Sequence, residues 1–263
     1  MLAEHLQSSS TLSFARSLFF AAEGKALFEQ GFVFASAVST YYSLFHLGGS
    51  LILALCSRPA STGDPQPDLR KKLEGKWARG QPRTSADGQA YLPDPAGSIA
   101  HMDVPSFLQR ELPEAARLIG SRDVRGTLMD MREFVSYAPR MEAKGHENVL
   151  YSGCQYEAFE FQAFLSQHLS RIEEIIRSAA AWLRQGYSEI YSRILSGDFV
   201  LFEFTELSAY HPNSVSRSAF RIYRSICDRE QTNWRIWRPH SGVFHTDEAG
   251  ERERYAEAIS SFE

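Results

Sequence analysis

Ala35-Ser-Ala-Val-Ser-Thr-Tyr41-Tyr42-Ser-Leu-Phe45-His46 decides the fold of this chain. It lies inside residues 31–57, a run with no Asp, Glu, Lys or Arg. Such a run is long enough to cross a bilayer. Its centre, however, is crowded with Ser36, Ser39, Thr40, Tyr41, Tyr42, Ser43 and His46. Tyrosine prefers the membrane interface to the membrane centre, and a helix buried among other helices accounts for the same composition. Phe34, Val38, Tyr41, Phe45, Gly48, Ile52 and Leu55 follow an alternating spacing of four and three, the pattern of a packing seam. Gly48 and Gly49 would let another backbone approach closely.

Outward from this segment, residues 11–30 read as a preceding helix, capped by Thr11 and stopped at Gly31. Residues 57–97 hold six of the eleven Pro and read as a long insertion, with a short helix over 69–77. Helical periodicity returns near Val104, with Asp103 as its cap, and again over 123–137 through Val124, Leu128, Met131 and Val135, until Pro139 stops it. A long helix begins near Tyr156, with Phe161, Leu165, Leu169, Ile172, Ile176 and Leu183 on its apolar face; it continues or restarts after Gly186. Beyond residue 196 the pattern changes. Residues 199–204 and 234–237 read as short strands, and 214–228 and 248–262 as helices. The expected architecture is mostly α: a helical bundle over 1–196 with the Pro-rich insertion, and a small α+β extension over 197–263.

Bulk properties narrow the function classes. The 263 residues suffice for a core without disulfides or metal. A net charge of −4 argues against a surface that is basic throughout. Cys56, Cys154 and Cys227 are widely spaced and odd in number, and there is no Cys/His zinc spacing. The expectation is a cytoplasmic protein with no metal, no cofactor and no membrane span. No phosphate-cradling Gly loop, nucleophile elbow or zinc-protease motif occurs.

With these helices around it, Ala37-Val-Ser-Thr-Tyr41-Tyr42-Ser-Leu-Phe45-His46 resembles the second-helix segment of the HEPN family, a nucleotide-binding domain of higher eukaryotes and prokaryotes. His101 before the third helix, and Arg132-Glu-Phe-Val-Ser-Tyr137 ending it, are similar as well. The resemblance covers about residues 12–180. It implies a four-to-five-helix bundle, frequently dimeric. Many members are metal-independent ribonucleases of toxin–antitoxin or antiviral defence systems. Others are non-catalytic modules that bind a partner protein or nucleotide.

The family's catalytic signature is Arg, four to six residues, then His. The Arg would hold a phosphate and the His would move protons as a 2′-hydroxyl attacks. Arg132 resembles the family Arg, but Tyr137 stands where His is called for, and a phenol with a usual pKa of about 10 is poorly matched to neutral proton transfer. Arg140 and His146 have the right spacing. So do Arg235 with His240 and Arg238 with His245, and chance alone gives about two such pairs in a chain this rich in Arg. The catalytic candidates are therefore Arg132, Tyr137, Arg140 and His146. The balance favours a non-catalytic binding or assembly module, working as a homodimer or with a partner protein, nucleotide or RNA. The alternative is a metal-independent ribonuclease toxin.

A separate basic segment follows. Arg217, Arg221 and Arg224 share one helix face, and Trp234, Arg235, Trp237 and Arg238 come after it. Cations interleaved with aromatics suit single-stranded RNA or an acidic partner; a solvated Arg face with two core Trp accounts for the same residues. His46, Tyr41 and Tyr42 read as core groups whose polar atoms find partners, and His168 as a core or interface imidazole.

Overall fold

A computed structural model describes residues 2–58, 67–78, 83–84, 90–91, 99–120, 127–129, 131–132, 158–196, 199–229, 253 and 257–262. Among these the chain is mostly helical. The helices are α1 (Leu2–Glu29), α2 (Val33–Ser57), α3 (Pro67–Ala78), α4 (Asp103–Glu111), α5 (Pro113–Ile119), α6 (Ala158–Gly186), α7 (Ser188–Ile194), α8 (Thr205–Ser208) and α9 (Asn213–Arg229), with a π-helical segment at Phe199–Phe204. Further helical residues lie at 128–129, 131–132 and 257–262. The β structure among the described residues is a two-residue antiparallel pair, Arg83–Thr84 with Ala90–Tyr91.

An antiparallel hairpin of α1 and α2 is the centre of the molecule. Gly31 makes the turn at φ 83°, a left-handed conformation that costs glycine nothing. A ladder of hydroxyls sets the register. Ser10 Oγ donates to the Ser50 carbonyl at 2.8 Å, Ser43 Oγ to the Ser17 carbonyl at 2.8 Å, and Ser36 Oγ to the Gly24 carbonyl at 2.6 Å. The rungs step by one heptad along both helices, the repeat that keeps one helix face against its partner. Each hydroxyl is buried and satisfied on a backbone oxygen. This explains how a helix can carry Ser and Thr at its middle and still be a core element. The most apolar window of α2 is 78% buried inside the protein.

The seam on α2 runs as expected from Tyr41 to Leu55. Its first residue does not belong to it, since Phe34 is 49% exposed. At Gly48 a side chain comes close, rather than another backbone. A Cβ there would lie 2.5 Å from Val104 Cγ1 and 3.3 Å from Leu108 Cγ of α4. Val is fixed at χ1 and cannot swing away. Gly48→Ala is therefore expected to destabilise the fold by about 1–2 kcal/mol despite the helix propensity gained. In a Val104→Ala background that cost should disappear; urea unfolding of the single and double variants measures it.

Three local expectations are corrected. Thr11 is not a cap: α1 starts nine residues earlier, and Thr11 Oγ1 donates to the Ser8 carbonyl at 2.8 Å and to Glu203 Oε1 at 3.0 Å. Asp103 is the first residue of α4 rather than its cap, and its Oδ2 accepts the Ala100 N–H at 2.8 Å. Residues 199–204 are not a strand. Phe199, Val200 and Phe204 are buried at a spacing of one and four, a helical face, and Phe204 packs 4.6 Å from Phe19 of α1 and 5.2 Å from Phe262. In a strand those rings would split between two faces. The expected strand at 234–237 and the Pro-rich stretch outside α3 and the β pair lie outside the described residues.

The remaining helices close the core. On α6, Leu165, Leu169, Ile172, Ile176 and Leu183 are buried as the periodicity predicts, and the helix restarts after Gly186 as α7. Tyr223 of α9 donates to the Ile194 carbonyl at 2.8 Å. Full burial, then the neighbouring Cys227, hold its phenol well above the usual range, so it stays neutral. Residues on both sides of 196 thus contribute to one apolar core.

Candidate functional site

The site grows from α2. Tyr41 is fully buried, while Tyr42, Phe45 and His46 are half-buried on the same helix. Opposite them stands His101 at the turn before α4. That turn is pinned twice: the Asp103 N–H donates to the Ala100 carbonyl at 2.9 Å, and the Asp103 carboxylate accepts the Ala100 N–H. Lys72 of α3 pairs with the same carboxylate at 2.6 Å. Asp103 therefore holds the backbone that presents His101.

Tyr41 Oη lies 2.7 Å from His101 Nδ1, and Arg132 Nη2 lies 3.4 Å from His101 Nε2. A guanidinium can only donate, so a hydrogen bond at this contact has Nε2 as its acceptor. The other ring nitrogen faces the tyrosine oxygen, and His101 links Arg132 to Tyr41. Rings close around it: Phe45 packs 4.5 Å from His101 and Tyr42 lies 6.2 Å from it. The Arg132 guanidinium stands over the Tyr41 ring at 5.7 Å and the Tyr42 ring at 6.0 Å, within cation–π range. Arg132 is 8% exposed.

His46 is directed elsewhere. Its ring stacks on Phe20 of α1 at 5.3 Å and 7°, so it packs as an aromatic group. Phe20 also touches His211, which stacks on Phe19 at 5.0 Å. Half-exposed Phe20 and His211 were not singled out by sequence. Phe20 lies on α1, four residues short of Gly24 in the hydroxyl ladder, and the heptad spacing of that ladder was the signal that could have found it.

Of the other sequence candidates, Arg217 and Arg221 are exposed and Arg224 half-exposed on α9, on the far side of that helix from Val215, Ala219, Ile222 and Ile226. Tyr137, Arg140, His146, Trp234, Arg235, Trp237 and Arg238 lie outside the described residues. Among the described residues no group of three or more His, Cys, Asp or Glu could hold a metal ion.

His168 of α6 packs against Phe164 at 3.7 Å, and its Nδ1 is buried with no hydrogen-bond partner among the described residues. Burial, and secondarily Arg171, lower its pKa from 6.5 to about 4. The unfolded chain therefore binds more protons between those values, and stability falls as pH drops through that window. Because the ring is only half-buried, the loss relative to His168→Gln should be about 1 kcal/mol. Urea unfolding of both proteins at pH 7 and pH 4.5 checks it.

Comparison of the chain with protein-family models, with curated proteins and with solved structures gives no match.

Proposed function

We propose that this chain is an HEPN-like module that binds and assembles rather than cuts. It would serve in a bacterial toxin–antitoxin or defence system, in the cytoplasm, as a homodimer or with a partner protein, nucleotide or RNA. Support for the family comes from the antiparallel α1/α2 hairpin, with Tyr41-Tyr42-Ser-Leu-Phe45-His46 in its core, and from His101 and Arg132 meeting that segment.

One observation carries the non-catalytic reading: the state of Arg132. An arginine that stabilises a phosphoryl transition state must present its fork to the phosphate. Here the guanidinium is buried, lies on two tyrosine rings and donates to an imidazole. That is the arrangement of a group that fixes helices in place. Co-purification of the full chain from its native host tests the reading. A stable stoichiometric complex is expected, whether with a second copy or with another protein; recovery of free monomer alone would contradict it.

The same geometry gives the ribonuclease alternative its one supporting observation. A guanidinium and an imidazole share a site at 3.4 Å although they are 31 residues apart in sequence. Metal-free RNA cleavage needs that pair of groups. On this alternative His101 would move the proton, and His101→Ala would abolish turnover.

A further inference from the structure

A second surface is unused by that site. From Asn213 to Cys227, α9 contains no acidic residue. Its outward face shows Ser214, Arg217 and Arg221, with Arg224 half-exposed one turn further on. Arg217 and Arg221 make no ion pair with any described residue; the ion pairs among those residues lie on other elements. The buried face of the same helix is fully used by the core, so the arginines are not needed to hold it. Three residues before α9 begins stands Tyr210, 78% exposed and the most open of the large apolar side chains described. Its neighbour His211 is anchored on Phe19, so the turn that carries Tyr210 is tied to α1.

From these observations we infer that the outer face of α9, with Tyr210 at its start, binds single-stranded nucleic acid. Arg217 and Arg221 are one helical turn apart, about 6 Å along the axis, which suits consecutive phosphates of an extended strand. Guanidinium forks take phosphate oxygens in pairs. Tyr210 supplies an open ring on which a base can stack, whatever its identity. An acidic protein segment would satisfy the arginines but would have no use for an isolated ring. A double helix would meet the arginines while keeping its bases inside. Exposed cations on one helix face, preceded at the start of that helix by an exposed ring, are what favour a single strand. This inference rests on the binding-module reading and names the class of ligand.

Fluorescence anisotropy of the full chain with labelled oligouridylate and oligothymidylate, each about 15 nucleotides long, tests it. Binding is expected to weaken linearly with the logarithm of salt concentration. In Arg217→Ala/Arg221→Ala the slope should fall by about 1.4, from about 0.7 for each phosphate no longer neutralised. Tyr210→Ala should weaken binding about tenfold and leave the slope unchanged. All three side chains are exposed, so the variants should keep the wild-type circular dichroism. A preference for oligouridylate identifies RNA as the source of the strand; equal binding identifies phosphate and base alone as the determinants. Absent binding, salt-independent binding, or a double variant with the wild-type slope overturns the inference. So does binding of polyglutamate that is abolished in the double variant while Tyr210→Ala has no effect, which would assign the face to an acidic protein. Complex formation in the co-purification is scored separately, so either reading can fail while the other stands.

Discussion

Gly120→Ala is expected to cost about 4 kcal/mol of stability. Gly120 ends α5 at φ 71° and ψ −160°. That region is open in practice only to glycine, and forcing an L-residue into it costs about 1–3 kcal/mol. A Cβ there would also sit 2.1 Å from Thr127 Cβ and 2.2 Å from Thr127 Cγ2. No rotamer change relieves a clash with a Cβ, so the backbone at Thr127 must move. Thr127 leads directly into the helical residues that carry Arg132, and its carbonyl accepts the Met131 N–H at 3.0 Å. The expected consequence is a lower urea midpoint with unchanged slope, together with separation of Arg132 from His101. Gly31→Ala is the control. Its φ is also positive, 83°, but a Cβ there meets nothing within 4 Å, so about 1 kcal/mol is expected from conformation alone. Equal losses at the two glycines would show that the approach of Thr127 is not what Gly120 permits.

Arg70→Ala is the second large effect, about 3 kcal/mol. Arg70 is 5% exposed although it is formally charged. From α3 it reaches the end of α2, donating to the Leu55 carbonyl at 2.9 Å, to the Cys56 carbonyl at 3.1 Å, and to the Arg58 carbonyl. The last carbonyls of a helix have no partners within it and carry partial negative charge. A guanidinium answers both needs with one planar fork. Removing it leaves buried carbonyl oxygens unpaired at a terminus whose dipole then goes unopposed. Arg70→Lys should recover less than half of the loss, because an ammonium cannot span three acceptors in that plane. Chemical unfolding gives both values. A loss below about 0.5 kcal/mol for Arg70→Ala would place the Pro-rich insertion outside the stability of the bundle.

Much of the helical framework was legible in the amino-acid order. Absence of charge over residues 31–57 marked a core helix, Gly31 marked the turn, the apolar periodicity of α6 fell on the face that is buried, and the arginines expected on one face of the helix over 214–228 lie on the outer side of α9. The errors have a common physical source. Thr11, which follows Ser8, Ser9 and Ser10, reads as a cap, because hydroxyl side chains compete for backbone groups and favour helix starts. Here Ser10 bonds a carbonyl of α2 and Thr11 bonds a carbonyl of α1 and Glu203, so α1 runs through them. Phe199-Val-Leu-Phe-Glu-Phe204 is as rich in β-formers as a strand, but rings from α1, α9 and the chain's end surround it, and tertiary packing overrides that preference. Arg70 could not be assigned because nothing in its neighbourhood announces that it reaches back to a helix end thirteen residues away. The family resemblance singled out Tyr41, His101 and Arg132, but their meeting was not read from the sequence. Local sequence cannot encode a contact that the α2–α4 packing creates.

The account stands on Arg132 serving as a structural cation of the α2–α4 junction rather than as a phosphate ligand in catalysis. Incubating the purified full chain with total RNA and with tRNA in excess EDTA tests this directly, with wild type, Arg132→Ala and His146→Ala side by side. The expected result is intact RNA in all three, with Arg132→Ala less stable than wild type by about 2 kcal/mol. RNA cleavage by the wild type that persists in EDTA and is abolished in Arg132→Ala, while that variant remains folded, would contradict it.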